Sequence, residues 1–472
     1  MKAICFYFQI HQPFRLKTYR FFNIGNDHYY YDDFANDEII TRIAHRSYLP
    51  ANQTLLEMIN ASNKQFKVAF SISGTALEQL EQYVPEFIES MKELVATGCV
   101  EFLSETYAHS LASLKETEEF IEQVKQHDEK IFQLFGQRPT VFRNTELIYS
   151  DDISAVVASM GFKAAITDGA KHILGWKSPN YVYSSAAAPQ LKLLLKNSKM
   201  SDDISFRFSN PDWNDYPLTA DKYIDWIANL PQEEQIVNLF MNYETLGELQ
   251  PRESGIFEFM KALPRFAAER GIEFWTPSET VAKLKSVGEL SVPYPMSWAD
   301  EARDTSAWLG NDLQNEAFNK LYSVAERVNL CTDRRLKQDW YYLQASDHFY
   351  YMSTKHLNDG AVHSHYSPYE SPFQAFMNYM NVLSDFIVRV EEQYPLSIEN
   401  EELNSLLTTI RNQSKEIEQL NREISLLRTN IINSEDEDKA AESQKAAAKT
   451  TAAKKPAARK TPAKKTAAKD KE

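Results

Sequence analysis

The run Val237-Asn238-Leu239-Phe240-Met241-Asn242-Tyr243-Glu244-Thr245-Leu246-Gly247 has the pattern of an apolar strand that ends in a polar tip. Runs of this kind recur through the first 290 residues and alternate with longer amphipathic helical patterns. The seven predicted strands are Ala3–Ile10, Lys67–Ser73, Val100–Ser104, Thr140–Asn144, Ala164–Thr167, Ile236–Asn242 and Ile272–Thr276. Strands rich in Val, Ile and Phe that alternate with helices indicate an α/β fold with a parallel sheet buried on both faces.

About seven such units favour a closed or nearly closed TIM-like β/α barrel over residues 1–290, with its chemistry at the strand ends. The alternative is an open doubly wound sheet, but no Gly-rich phosphate loop follows the first strand. Between the strands, Leu77–Val95 and Thr117–Phe135 have helical patterns, and Gly136 ends the second. Another helix is predicted to begin at Ser150 and to end at Gly161.

Strand patterns largely disappear after residue 290, and three helices predict an all-α domain over residues 291–399. These helices are Asn311–Leu330, Asp333–His356 and Phe373–Tyr394. Residues 400–433 carry a heptad pattern, with Leu or Ile at one seam position and mainly Leu at the other. Ile at a with Leu at d favours a parallel two-stranded coiled coil, so we expect a homodimer through residues 403–431. The open alternative is a helix that folds back on its own domain.

Composition limits the class of protein. The 472 residues carry a formal net charge of −15, which argues against specific nucleic-acid binding by the main body. The Ala/Lys-rich segment 434–472 is predicted to be a disordered basic tail. Three widely spaced cysteines fit reduced thiols in a cytoplasm. We find no signal-peptide pattern and no apolar run of roughly 18 residues, so we expect a cytoplasmic protein without a membrane partner.

Polar residues gather where predicted strands end. Glu146 comes just after the strand Thr140–Asn144, and Arg143 beside it would help to keep that carboxylate ionised, as an attacking group must be. Four more segments complete the set. They are His11-Gln12-Pro13, Gly98–His109, Asn242–Glu248 and Gln344–His348.

Together these five segments resemble glycoside hydrolase family 57, in its α-amylase-like branch, over roughly residues 1–351. The resemblance implies a seven-stranded barrel, a helical region, and retaining chemistry on α-1,4 linkages of starch- or glycogen-like α-glucans. It implies that Glu146 is the nucleophile. It further implies that the substrate-binding residues include His11, Gln12, Glu101, Glu105, His109, Asp203, Asp347 and His348.

The segment at Asn242 departs from that family. The α-amylase-like branch usually has Asp-Tyr-Glu-Thr-Phe-Gly-Glu-His, and this chain has Asn242-Tyr243-Glu244-Thr245-Leu246-Gly247-Glu248-Leu249. The expected general acid is therefore replaced at Asn242, and a carboxamide cannot donate a proton at neutral pH. Removal of a general acid typically costs about 10²- to 10⁴-fold in rate. If the strand stays extended through Glu244, residues two apart on it point to the same side, and Glu244 could reach the vacant position, with Asp203 as a second candidate.

Aromatic residues in loops are candidates for stacking on sugars, and Trp308 is the first of these. A metal-dependent deacetylase would need a strand-end Asp with two closely spaced His, whereas His11, His109 and His348 are far apart in the sequence. We therefore expect no metal and no cofactor. The predicted function is an α-amylase-like glycosidase whose activity Asn242 could impair; the alternatives are an inactive α-glucan-binding protein and a 4-α-glucanotransferase.

Overall fold

The computed structural model describes residues 2–355 and 366–393, together with a few helical positions between Thr409 and Ile424. The chain divides into two compact units, Met1–Pro395 and Leu396–Glu472. The predicted tail 434–472 and most of the predicted coiled coil lie outside the described residues. Within that segment Ile410, Gln413 and Ile417 are helical and exposed, and the dimer stays a prediction.

The strands of the first unit are short and mostly parallel. They are β1 (Lys2–Ile10), β2 (Val68–Ile72), β3 (Val100–Phe102), β4 (Val141–Arg143), β5 (Ala164–Asp168), β6 (Val182–Ser185), β7 (Lys192–Lys196), β8 (Ile236–Asn242), β9 (Leu246–Gly247), β10 (Gln250–Pro251), β11 (Ile272–Phe274) and β12 (Glu289–Leu290).

Helices follow most of these strands. They are α1 (Asp33–Ile43), α2 (Leu49–Ala61), α3 (Gly74–Tyr83), α4 (Pro85–Ala96), α5 (Thr117–Phe135), α6 (Asp151–Ser159), α7 (Lys171–Leu174), α8 (Ser198–Ser205), α9 (Ala220–Ala228), α10 (Ile256–Glu269), α11 (Pro277–Lys283), α12 (Ser306–Leu309), α13 (Asp312–Tyr322), α14 (Ala325–Leu330), α15 (Arg334–Leu343), α16 (Ser346–Tyr350) and α17 (Pro372–Gln393).

Two sheets carry the fold. In the first, β8 pairs in parallel with one edge of β1, while β2 and β11 share the other edge and β3 lies outside β2. In the second, the order is β12-β6-β7-β5-β4, and β6 runs antiparallel to β7. The predicted α/β class is confirmed.

The predicted single closed barrel is not what the described strands form. Continuous ladders join strands only within each sheet. Between the sheets there are an isolated bridge from Ser104 to Phe142 and a backbone hydrogen bond, 2.9 Å long, from Asn197 to Asn238. Sequence analysis also missed β6 and β7. The apolar run of β7 covers only three residues between Lys192 and Lys196, too short for periodicity to separate strand from helix.

The strand β1 shows how the core is built, because it is buried on both faces from Ala3 to Ile10. Its even-numbered side chains, Phe6 among them, pack with the helices in one cluster. Its odd-numbered side chains, including Cys5 and Tyr7, pack against strands of both sheets in a second cluster. Period-two alternation in a mainly apolar strand therefore places the central strand between two hydrophobic layers.

Helix ends were predicted correctly where a capping signal was present, but the predicted helices Asn311–Leu330 and Asp333–His356 are each divided in two. The helix α5 has the predicted bounds and ends at Gly136, whose φ of 70° is the left-handed geometry that glycine tolerates. The side chain of Ser150 caps α6 by accepting from the amide of Ile153. The predicted helix Leu77–Val95 was wrong in one respect, because Pro85 divides it into α3 and α4.

The helices from α12 onward belong to the same compact unit as the sheets, so a separate domain over 291–399 stays a prediction. All three cysteines are free and buried. Within the described part of the chain, no helix combines the length and apolarity needed to cross a membrane.

Candidate active site

A pocket opens at the carboxyl ends of β1 and β8, beside Glu146, which follows β4. We call it the Glu146 pocket. It is lined by Gln9, His11, Gln12, Pro13, His109, Glu146, Asn242, Glu244, Trp298, Asp347 and Tyr366. Segments that are far apart in the chain thus meet at one cavity, because parallel strands present their carboxyl ends to the same side.

Glu146 is held by three donors from three parts of the chain. Its Oε2 accepts from the indole Nε1–H of Trp298 at 2.7 Å. Its Oε1 accepts from the hydroxyl of Ser346 at 2.9 Å and lies 3.2 Å from Nε2 of His109. These contacts satisfy an ionised carboxylate and fix its orientation toward the pocket.

The backbone is strained at the same place. Glu146 and His109 both have a φ of 54°, in the left-handed region that residues with a Cβ seldom adopt. Such a conformation costs about 1–3 kcal/mol and persists only where the surroundings enforce it, typically at functional sites. These two strained residues contact each other through their side chains in the pocket wall.

His109 links two carboxylates. Its Nδ1 lies 3.0 Å from Oε2 of Glu105, and its Nε2 faces Glu146. Burial alone would lower the pKa of His109, but the hydrogen bonds to Glu105 and Glu146 outweigh it and raise that pKa. Burial alone would raise the pKa of Glu105, but His109 and the nearby guanidinium of Arg143 lower it to about 2. An imidazolium between two carboxylates balances the buried charge.

His11 is a neutral counterpart to His109. The two rings stack with centroids 4.0 Å apart. Burial, followed by the charge of His109, lowers the pKa of His11 to about 4. The neutral ring can then donate from Nε2 to Oδ2 of Asp347 at 2.8 Å, while its Nδ1 accepts from the hydroxyl of Ser73 at 2.7 Å. These contacts fix the tautomer that His11 presents to the pocket.

Glu244 is the second carboxyl group of interest in the Glu146 pocket. The strand does not stay extended through it, because β8 ends at Asn242 and a 3-10 turn, Tyr243–Thr245, follows. Its Oε1 accepts from the hydroxyl of Tyr48 and, at 3.2 Å, from the amide of Gln12. Burial raises the pKa of Glu244 to about 6, although both hydrogen bonds oppose that rise. Glu244 therefore has a larger protonated fraction near neutral pH than an ordinary glutamate, which a proton donor requires.

Three comparisons with known proteins identify the family and the fold. The family model for glycosyl hydrolase family 57 matches residues 5–293, more than half of the chain. This chain belongs to glycosyl hydrolase family 57. A protein of Methanocaldococcus jannaschii described as "Putative alpha-amylase" is 40% identical over 448 residues, covering 92% of this chain and 94% of the relative.

Two solved structures share the fold. A GH57 branching enzyme from Thermococcus kodakaraensis superposes with a TM-score of 0.60 at 11% identity, covering 86% of this chain and 94% of the enzyme. A 4-alpha-glucanotransferase from Thermococcus litoralis gives a TM-score of 0.57 at 15% identity, covering 74% of this chain. This chain spans 56% of that longer enzyme.

Most residues that the family resemblance implied meet at the Glu146 pocket. His11, Gln12, His109 and Asp347 line it, as do the three predicted catalytic positions Glu146, Asn242 and Glu244. Glu105 lies directly behind His109. Arg143 forms an ion pair with Glu105 at 3.7 Å.

Glu105 and Arg143 stand behind the wall of the pocket, and four further predicted substrate-binding residues do not line it either. Glu101 accepts from the amide of Ser278, beyond the end of β11. Asp203 pairs with Arg207, and the Nε2–H of His348 donates to the carbonyl of Tyr342 at 3.0 Å.

The fourth of these residues is Trp308, which is buried with no exposed surface, so its ring cannot stack on a sugar in this conformation. A residue's position within a motif does not determine which way its side chain points. The contacts of these four residues are with the surrounding protein and not with the cavity.

Sequence reasoning missed several residues that build the site. Trp298 and Ser346 donate to Glu146, and Tyr48 donates to Glu244. Ser346 sits beside the predicted Asp347, so the motif itself could have suggested it. Trp298 and Tyr48 carried no strand-end signal, and only the tertiary fold brings them to the pocket.

Among the described residues, no group of three or more His, Cys, Asp or Glu side chains is arranged to hold a metal ion. The histidines at this site face carboxylates and hydroxyls, as the contacts of His11 and His109 show.

Proposed function

We propose that this protein carries out retaining glycosyl transfer on α-1,4 linkages of starch- or glycogen-like oligosaccharides, with Glu146 as the nucleophile. The observation that carries this proposal is the setting of Glu146, a strained and triply hydrogen-bonded carboxylate in a pocket that a second carboxyl group also lines. Retaining glycosidases use one such carboxylate to attack the anomeric carbon and a second carboxyl group to move protons. The "Putative alpha-amylase" relative supports the same substrate class.

The reaction would begin with attack of the Glu146 carboxylate on the anomeric carbon. The bond to the leaving sugar breaks, and a glycosyl ester of Glu146 forms. Trp298 and Ser346 position the attacking oxygens, while the His109 imidazolium offsets the buried negative charge. Water as the acceptor gives hydrolysis, and a sugar hydroxyl as the acceptor gives transglycosylation.

The proton for the leaving oxygen needs a donor other than Asn242. We infer that Glu244 supplies it, because Glu244 lines the same pocket and its pKa of about 6 keeps part of the population protonated near neutrality. Asp203, the other candidate, is paired with Arg207 at 2.5 Å and lies outside the pocket lining. Its contacts favour a structural role.

A second candidate function is α-glucan binding without turnover. The observation that favours it is Asn242, since a carboxamide stands where the α-amylase-like branch carries its proton donor and lines the pocket beside Glu146. In that case the pocket would bind glucan chains, and Glu244 would serve only to hold Gln12 and Tyr48.

Incubation of the full-length protein with maltoheptaose tests the proposal. Shorter products alone indicate hydrolysis, and shorter together with longer products indicate transglycosylation. The Glu146→Gln variant keeps the size of the side chain and should form neither. Wild-type binding of maltoheptaose without any product, unchanged in Glu146→Gln, would select the binding protein instead.

A further inference from the structure

A second cavity adjoins the Glu146 pocket. We call it the Lys196 pocket. The two cavities share Gln9, Asn242 and Trp298 in their walls, so they adjoin at these three residues. The Lys196 pocket extends from there past Arg143 and the end of β7.

The charge of the Lys196 pocket differs from that of its neighbour. Arg143 and Lys196 line it, and none of the described residues in its wall is acidic. The side chains of both cations are at least nine-tenths buried, and the Nε–H of Arg143 has no hydrogen-bond partner among the described residues. Buried cations facing a cavity are the usual means of binding an oxyanion.

The counter-charges of these cations lie outside the wall of the cavity. Glu105 pairs with Arg143 at 3.7 Å, and Asp202 lies 3.4 Å from Nζ of Lys196. The Lys196 ammonium also stands 5.6 Å above the ring of Trp298, the residue that donates to Glu146. Lys196 thus lines the Lys196 pocket and also contacts Trp298, a residue that binds Glu146.

The position of Asn242 suggests what the anion would do. In a retaining mechanism the acceptor attacks the glycosyl ester from the side opposite the nucleophile, where the proton-transfer residue normally stands. A carboxylate at position 242 would add a second negative charge beside the Glu244 carboxylate and repel an anionic acceptor, whereas the carboxamide of Asn242 carries no charge and can donate hydrogen bonds. The cationic cavity opens at that residue.

We propose that the Lys196 pocket binds inorganic phosphate, which takes the glycosyl group from Glu146 and makes the protein an α-glucan phosphorylase. This inference rests on the proposed function, because it needs the glycosyl ester of Glu146.

Atoms and charges balance over two steps. In the first step Glu146 forms a bond to the anomeric carbon while the protonated Glu244 gives its proton to the leaving sugar oxygen. In the second step an oxygen of hydrogen phosphate attacks that carbon, and the ester bond to Glu146 breaks. The proton of the hydrogen phosphate then passes to the Glu244 carboxylate, which restores the starting state of both carboxyl groups.

The test incubates full-length protein with maltoheptaose, with and without inorganic phosphate, and follows α-glucose 1-phosphate by phosphorus NMR and sugars by chromatography. We expect a sugar phosphate whose rate of formation saturates with phosphate. Glucose 1-phosphate with maltoheptaose should run the reaction in reverse and release phosphate. Sulfate should inhibit without forming product.

Products that are the same with and without phosphate would overturn this inference and leave the proposed glycosyl transfer standing. The absence of any product under both conditions would overturn both. The wild-type product is decisive alone, so the test survives a variant that fails to fold.

Three variants test whether phosphate binds in the Lys196 pocket. Lys196→Met should lower the phosphate-dependent rate by at least about tenfold, the effect of losing one charge-assisted hydrogen bond. Lys199→Met removes an exposed lysine nearby and should change nothing. Asn242→Asp should favour water over phosphate, and an unchanged product ratio in that variant would contradict the proposed place of the anion.

Discussion

Replacing Glu244 by Gln should change how stability depends on pH, whether or not the protein turns over a substrate. Glu244 is buried, and burial raises its pKa from the ordinary value of 4.5 to about 6. A carboxyl group with a raised folded-state pKa favours folding most below its unfolded pKa. That contribution is lost as the pH rises through the folded pKa, since the unfolded chain ionises more easily.

The magnitude follows from the difference between the two pKa values. A rise from 4.5 to about 6 corresponds to about 2 kcal/mol of unfolding free energy, lost between roughly pH 4 and pH 7. The glutamine variant cannot ionise and loses none of it. The unfolding free energy of Glu244→Gln minus that of the wild type should therefore increase by about 2 kcal/mol across that range. Any pH-independent cost of the substitution shifts this difference by the same amount at every pH.

Urea unfolding of both proteins at several pH values between 4 and 8 measures this difference. The control is Glu57→Gln, which removes an exposed carboxylate whose pKa is lowered by its hydrogen bond to Lys261. The unfolding free energy of Glu57→Gln minus that of the wild type should decrease as the pH rises, because this carboxylate stabilises the folded wild type once it is ionised. A Glu244→Gln difference that stays flat, or that falls with rising pH, would refute the assignment of Glu244 as a group with a raised pKa.

Three further predictions concern activity and assembly. Glu146→Gln should lower maltoheptaose turnover by at least about 10⁴-fold with folding intact, as seen in circular dichroism, because a carboxamide cannot form the glycosyl ester. Tyr48→Phe removes a hydrogen bond that lowers the pKa of Glu244, so the basic limb of the pH profile of kcat/KM should move up by about 1–2 pH units. Tyr29→Phe, which breaks a similar but exposed contact with a carboxylate, should leave that limb in place. Ile417→Asp should convert a dimer into a monomer in light scattering, and a wild-type monomer would refute the predicted coiled coil.

Local signals in the sequence were enough for the elements that have them. Gly136 and Ser150 marked helix ends, because a left-handed turn and a side-chain cap each depend on one residue type. Strands buried on both faces were visible as runs made mainly of apolar residues. The strand β7 was missed because three leucines between two lysines carry no period that separates strand from helix.

The sequence by itself determined the chemical inventory, namely a strand-end Glu146, a carboxamide at Asn242 and the α/β alternation that brings strand ends together. Only the tertiary structure decided which side chains contact Glu146 and which candidate residues are buried. The fold places Trp298 and Ser346 against the carboxylate of Glu146, and it buries the side chain of Trp308 in the core. The physical reason is that strand and helix periods are set by neighbours in the chain, whereas side-chain contacts and pKa shifts depend on packing between residues far apart in it.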